Sequence, residues 1–339
     1  MSFRRIKMRF THIVKALLFY MGLFAVLRIF FPSRKVAILC YHAVVDDNDN
    51  NYTAKTISIS KAAFESHVRY FAAKYNVISL DEAIEALRTG RSFPVNALVF
   101  TFDDGYADNF HAAEILAQYK ATGTFYLTAA CIDRTDPFWL SEITKALLTT
   151  QAAQFSINVN GESFTLQLSS EKEKWYAVRH LVKLVKNNNR ETREEIRKQL
   201  REQLTDISAE KINDELMLTW NQVKEMAEKG MTIGAHTMTH LNLPNADPAD
   251  AHYEIAESKA LIKKHLKKDV LHFSYPNSGP YKYFTPSIRD MVEKCGFHSS
   301  ATSMRGFVDK DSDLFALKRV RTVPSLVETI AGLELAKLK

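Results

Sequence analysis

The strongest constraint in this chain is a rhythm. Short strand-like runs recur along it: VAILCYHAVV (36–45), ALVFTFDD (97–104), ATGTFYLTAA (121–130), MTIGAH (231–236), VLHFSYP (270–276), FHSSATS (297–303) and FALKRVRTV (315–323). Near-continuous apolar runs of this length read as strands covered on both faces. Between them lie segments with helical spacing. SKAAFESHVRYFAAKY starts on a Ser cap, and SLDEAIEALRTG pairs Ser79 with Glu82 before closing on Gly90. Strands alternating with helices predict a parallel α/β sheet or barrel.

The rhythm breaks between 137 and 217. That stretch reads as a helix, a hairpin around Asn160-Gly161 and a long charged helical run. No metal-ligand or nucleophile spacing occurs in it, so it reads as an insertion with solvated charged faces. The expected division is a terminal segment (1–34), a catalytic unit (35–136 with 218–330) and the insertion (137–217).

The first 45 residues hold eight Lys and Arg and no acid, while the whole chain carries +6, which leaves −2 for the rest. The body is not broadly basic, which argues against a nucleic-acid binder. After RRIKMRFTHIVK comes ALLFYMGLFAVL (16–27), short for a span of about 20 residues. Lys15 and Arg28 at its ends could snorkel, and no small-residue cleavage site follows cleanly. An uncleaved membrane anchor is expected, with an interfacial helix or a cleaved signal as alternatives. The basic cluster on its N-terminal side would place the body outside the cytoplasm. Cys40, Cys131 and Cys295 have neither CxxC spacing nor an even count and read as free thiols.

Two motifs carry the chemistry. In TFDDGY, side chains from mid-strand would point to opposite faces, but a turn at Gly105 lets Asp103 and Asp104 share a site. In HTMTH, His236 and His240 end another strand; Thr237 stands where the metalloprotease pattern needs Glu. Two imidazoles and one carboxylate make a three-ligand site for a divalent ion, with a second carboxylate left as a base.

TFDDGY, HTMTH and FSYPNSG together resemble the ordered motifs of the polysaccharide deacetylases, carbohydrate esterase family four, over roughly 36–136 and 218–330. The resemblance implies an irregular (β/α) barrel, Asp103 as base, and Asp104, His236 and His240 as ligands of one divalent metal, zinc by first choice. Two departures stand out. Ser274 occupies the place of the Arg that orients the base, leaving Arg305 or Arg319 as candidates for that role. Asn277 replaces a Tyr whose backbone N–H stabilises the oxyanion, a role Asn277 can keep. No C-terminal Leu-x-x-His strand is present, but LCYHAVV is similar to the N-terminal Tyr-His motif of a circularly permuted subgroup, implying His42 as general acid.

The expected reaction is removal of an acetyl group from an N-acetylated sugar, either a polysaccharide or a membrane-borne glycan. Tyr275, Pro276 and Tyr281 are candidate sugar-binding residues, with Tyr283 and Phe284 in the same aromatic loop. A carbohydrate-binding scaffold without turnover, or a deacylase of another amide, are the alternatives.

Overall fold

The computed structural model describes residues 3–46, 50–133, 136–204, 216–279 and 281–337, the side chains of 3–10 excepted. Two helices, α1 (Phe3–Tyr20) and α2 (Leu23–Phe30), come first. Then follow β1 (Ala37–Tyr41), β2 (Ala43–Val45), β3 (Ser58–Ser60), α3 (Lys61–Lys74), β4 (Asn76–Val77), α4 (Leu80–Thr89), β5 (Ala97–Phe102), α5 (Asn109–Gln118) and β6 (Gly123–Leu127). Next stand α6 (Trp139–Thr149), the hairpin β7 (Gln154–Val159) and β8 (Glu162–Gln167), α7 (Glu171–Lys186) and α8 (Arg190–Gln203). The chain ends with α9 (Trp220–Glu228), β9 (Thr232–Ala235), α10 (Pro248–Leu266), β10 (His272–Ser274), α11 (Pro286–Lys294), β11 (Ser299–Arg305), β12 (Leu317–Arg321) and α12 (Leu326–Ala336).

Seven strands close a parallel barrel in the ring order β1, β5, β6, β9, β10, β11, β12 and back to β1. β4 adds two residues beside the start of β5. The (β/α) barrel expected from the motifs is present. Alternation along each strand sorts its side chains. On β5, Phe100 and Phe102 join the core under the helices, where Phe102 stacks on Phe125 at 4.4 Å. Thr101, and Asp103 just beyond the strand, face the interior, where both meet Arg319. Gly234 is required by close approach: a Cβ there would come within 2.5 Å of the Tyr126 ring and 2.9 Å of the His272 carbonyl.

The segment between β6 and β9 packs around a second hydrophobic cluster, from Phe138 and Trp139 to Leu200, which Ala43, Val45 and Tyr106 of the barrel side join. Its charged helices are not simply solvated, which corrects the sequence reading. On α8, Arg193 and Arg197 are buried. Arg197 reaches Glu142 and Asp136, and Arg193 reaches the Thr239 carbonyl and hydroxyl. The inner stripe of the helix is basic because fixed acceptors face it.

The N-terminal apolar run breaks at Met21-Gly22, with Gly22 at φ 77°, and the two helices meet at 67°. No single helix among the described residues is long and apolar enough to cross a membrane. One face of the pair serves the barrel. Phe24 and Arg28 are buried, Arg28 donates to the Tyr70 hydroxyl (3.1 Å), and His12 and Lys15 pair with Glu328 of α12. The other face leaves Ile13, Leu17, Tyr20, Met21, Ile29 and Phe30 exposed.

Candidate active site

Every motif residue sits where a barrel strand ends, at the C-terminal rim that parallel βα folds use for ligands. His42 follows β1, Asp103 and Asp104 follow β5, His236 follows β9, and Asn277 lies beyond β10. Backbone bonds hold the rims together: Asp103 N–H donates to the Tyr41 carbonyl (3.1 Å), His236 N–H to Leu127 (2.8 Å) and Thr128 N–H to Asp104 (3.2 Å). The turns there are strained. Asp104, Thr237, His240 and Asn277 all have left-handed backbones, at φ 80°, 66°, 58° and 74°. Such residues persist where surrounding structure over-determines them, often at functional sites. The turn expected at Gly105 therefore begins one residue earlier, at Asp104.

Asp104, His236 and His240 converge and are all buried. Asp104 Oδ1 lies 3.4 Å from Nε2 of each histidine yet is buried without a hydrogen-bond partner among the described residues. The three donors aim at a common point rather than at one another. His236 Nδ1 contacts the Ser274 carbonyl at 2.7 Å, an arrangement that puts the proton on Nδ1 and leaves Nε2 as the ligand atom. Burial pushes His240 down to about 3, keeping it neutral. Burial alone would raise Asp104, but His236 and His240 bring it to about 2. His236 shifts the other way: burial alone would lower it, but Asp104 and Asp103 raise it, so it gives up its proton as a cation enters. Two imidazoles and a carboxylate fit a divalent cation.

Asp103 is held differently. Arg319 on β12 grips it with both guanidinium arms, Nη1 to Oδ1 at 2.8 Å and Nη2 to Oδ2 at 2.7 Å. Arg319 also donates to the Thr302 carbonyl (2.9 Å) and to Ser274 Oγ (3.2 Å). Burial by itself would raise the Asp103 carboxyl; the guanidinium overrides it and holds the group well below the usual carboxylate range. Of the two arginines expected to orient the base, Arg319 is the one in contact with Asp103, and the Ser274 hydroxyl accepts from it rather than competing for the carboxylate. Arg305 is exposed at the end of β11.

His42 Nε2 lies 3.9 Å from Asp103 Oδ2, partly exposed to the cavity. Burial lowers its pKa although both aspartates pull it up. Cys40 Sγ is 3.9 Å from Asp103 Oδ2, and burial pushes the thiol up to about 12. A neutral thiol beside a carboxylate already gripped by Arg319 is a poor second metal site, although Cys40, His42 and Asp103 are close enough to form one.

These groups line a cavity of about 450 Å³. Asn277 borders it with Oδ1 and Nδ2 buried and unpartnered among the described residues, while its carbonyl accepts from Ser303 Oγ at 2.8 Å. Of the aromatic loop, only Tyr283 lines the cavity. Tyr275 is a core residue: it is fully buried against Phe273 and Phe284, and its hydroxyl donates to the Phe315 carbonyl at 3.0 Å. The reason is alternation: Ser274 faces the barrel interior, so its neighbour faces the helices. Pro276 is buried outside the cavity lining, and Tyr281, half-exposed, lies under the Lys186 ammonium (5.4 Å) that borders the cavity. The burial of Tyr275 and Pro276 does not match the sugar-contact roles expected for them.

The inserted segment supplies a wall that the sequence reading left without chemistry. Leu140 and Lys186 line the cavity, and Phe138 and Trp139 pack on the His240 ring at 5.5 and 6.0 Å. The Lys186 carbonyl accepts from Asn242 and Asn245 at 2.7 and 3.0 Å. Glu254 of α10 accepts from Thr239 N–H at 2.7 Å, fixing the loop between the two histidines.

The polysaccharide deacetylase family model matches residues 90–300. The Bacillus subtilis (strain 168) protein YxkH, which carries the family's name, is 22% identical over 307 residues, covering 90% of this chain and 77% of that protein. The solved deacetylase PplD of Streptococcus pyogenes superposes with a TM-score of 0.59 at 18% identity, covering 90% of this chain and 99% of that one. IcaB of Ammonifex degensii gives 0.55 at 18% identity, with coverage of 91% and 98%. At such identities the structural likeness speaks for the fold, and the family match adds the chemistry. The chain belongs to the polysaccharide deacetylase family, hydrolases that cleave the C–N bond of an acetamide.

Proposed function

We propose that this protein removes the acetyl group from an N-acetylated sugar with a divalent metal, zinc by first choice, held by Asp104, His236 and His240. The observation that carries this is the orphaned Asp104 Oδ1 facing both Nε2 atoms inside a cavity that also holds Asp103. Held by these three residues, a divalent ion would supply Lewis-acid polarisation to a water and to the acetamide carbonyl. Asp103, ionised and oriented by Arg319, takes the proton of the attacking water. The Asn277 turn borders the cavity where a backbone N–H can meet the developing oxyanion. His42, with its Nε2 3.9 Å from Asp103 Oδ2, delivers a proton to the departing amine; its lowered pKa makes the imidazolium a stronger acid. The Arg319 grip supports turnover over the reading as a binding scaffold, because that rival rests on an untuned base.

Metal content and amine release from chitooligosaccharides test the proposal. Wild type should hold about one ion per chain, and His236→Ala should lose ion and activity together. Asp103→Asn should keep the ion and lose roughly 10²–10⁴-fold in turnover. A metal-loaded wild type that binds sugars but turns over no acyl sugar would refute it.

We also propose that the exposed apolar face of α1 and α2, with the basic residues that precede it, lies on an anionic membrane surface. The charge argument for a body outside the cytoplasm applies to a segment that crosses the bilayer, and a pair lying on the surface carries no such preference. The protein should sediment with phosphatidylglycerol vesicles, and Ile29→Glu with Phe30→Glu should abolish it. A wild type that stays in the supernatant sinks this part.

A further inference from the structure

Four cations line the catalytic cavity, but only Arg319 is spent on a carboxylate. The other three are Lys186, Arg305 and Arg321, and no ion pair of theirs occurs among the described residues. Arg321 Nη2 donates to the Thr56 carbonyl at 2.8 Å, and the Lys186 ammonium rests over the Tyr281 ring. By contrast, Arg289 meets Asp313, Asp290 and Glu293, and Arg197 meets Glu142, Glu194 and Asp136. Of the two carboxylates in the cavity lining, Asp103 is taken by Arg319 and Asp104 faces the histidines. The mouth of the cavity therefore carries uncompensated positive charge.

The cations come from two sides. Arg321 lies two residues beyond Arg319 on β12, so it shares the inward face about 7 Å further toward the rim. Arg305 stands in register with Arg319 on the neighbouring β11. Lys186 ends α7 in the inserted segment, opposite this pair of strands, and senses the charges of both Asp104 and Arg321. Burial brings its ammonium down to about 8. A half-buried ammonium with no anion costs free energy. The buried, unpartnered Asn277 amide borders the same space and is a second group without a ligand.

We propose that Lys186, Arg305 and Arg321 bind an oxyanion, a phosphate or a carboxylate, carried by the acetamido sugar itself, so that the substrate is an anionic saccharide. This rests on the deacetylase reading above. The three cations hold the charged substituent at the rim while the acetamide lies below it at Asp103 and Asp104. Neutral N-acetylated sugars fill the lower half of the site and leave the rim cations unsatisfied.

The test compares N-acetylglucosamine 1-phosphate, N-acetylmuramic acid and a neutral chitooligosaccharide, which separate phosphate from carboxylate from no charge. Binding is measured by calorimetry on chelator-treated protein, and amine release on metal-loaded protein, for wild type, Arg321→Gln, Arg305→Gln and Lys186→Gln. An anionic sugar should bind at least tenfold more tightly than the neutral one, with an affinity that falls as salt rises. Each variant should lower the charged-to-neutral ratio of kcat/KM about tenfold. Equal binding of all three sugars without salt dependence, or an unchanged ratio in correctly folded Arg321→Gln, overturns the inference. If the chelator-treated protein binds the anionic sugar but metal-loaded protein releases no amine from any of them, the anion site stands and the deacetylase reading falls.

Discussion

Removing the Arg319 guanidinium is the most informative perturbation. In Arg319→Gln, Asp103 loses both arms of its grip while staying buried. Breaking a buried pair from one side leaves an uncompensated charge, which costs about 3–5 kcal/mol of stability. Part of that loss is avoided if the carboxyl protonates instead. Burial, the largest influence on Asp103, then acts unopposed by its main counter-charge and drives the pKa upward. A base works above its pKa and fails as pH falls through it. The acid limb of kcat/KM against pH should therefore move to higher pH. At neutral pH, turnover should drop by roughly 10²–10⁴. Arg319→Lys keeps a charge but not the fork and should fall between wild type and Arg319→Gln. Ser274 Oγ lies 3.2 Å from Arg319 Nη2, so a guanidinium carried on β10 points at the same spot. The double exchange Arg319→Ser with Ser274→Arg should recover activity above Arg319→Gln. Circular dichroism and urea unfolding establish that each variant folds, and a pH–rate series on chitooligosaccharide reads the limb. A folded Arg319→Gln whose acid limb stays in place would refute the idea that Arg319 keeps Asp103 ionised.

Two further outcomes follow from burial elsewhere. Burial holds His67 down to about 4, against about 6.5 in an unfolded chain. The unfolded state then binds the extra proton between those values, so stability falls as pH drops from 6.5 toward 4, by up to about 3 kcal/mol from this group. Urea midpoints at pH 7 and pH 5 should converge in His67→Gln relative to wild type; an identical pH dependence would contradict the assignment. Gly234→Ala places a methyl 2.5 Å from the Tyr126 ring and 2.9 Å from the His272 carbonyl, two residues before His236. It should cost about 1–3 kcal/mol and lower metal content. An unshifted melting temperature would show that the barrel interior yields more readily than its packing implies.

Much of the fold was legible because each covered strand announces itself as an apolar run. TFDDGY and HTMTH pointed to one site because both close such runs. Arg319 was readable as a candidate but not as the answer, since choosing it over Arg305 depends on which side chain faces inward, and KRVR places Arg319 and Arg321 on one face. Tyr275 misled because an aromatic beside a motif residue looks like a sugar contact, while strand alternation turns it into the core. Lys186 gave no local signal. It reaches the cavity through the packing of a second hydrophobic cluster, and the charged helices around it resemble any solvated surface. The apolar N-terminus read as one anchor because hydropathy ignores direction; Phe24 and Arg28 turn toward the barrel and their neighbours away from it.

A closed ring of strands has a common axis, and every member can deliver a side chain to it. Here Arg319 reaches Asp103 from β12, while the β10 position carries only the small Ser274. A guanidinium can therefore meet one carboxylate from more than one stave, so a missing letter at a signature position does not by itself leave that carboxylate without its partner.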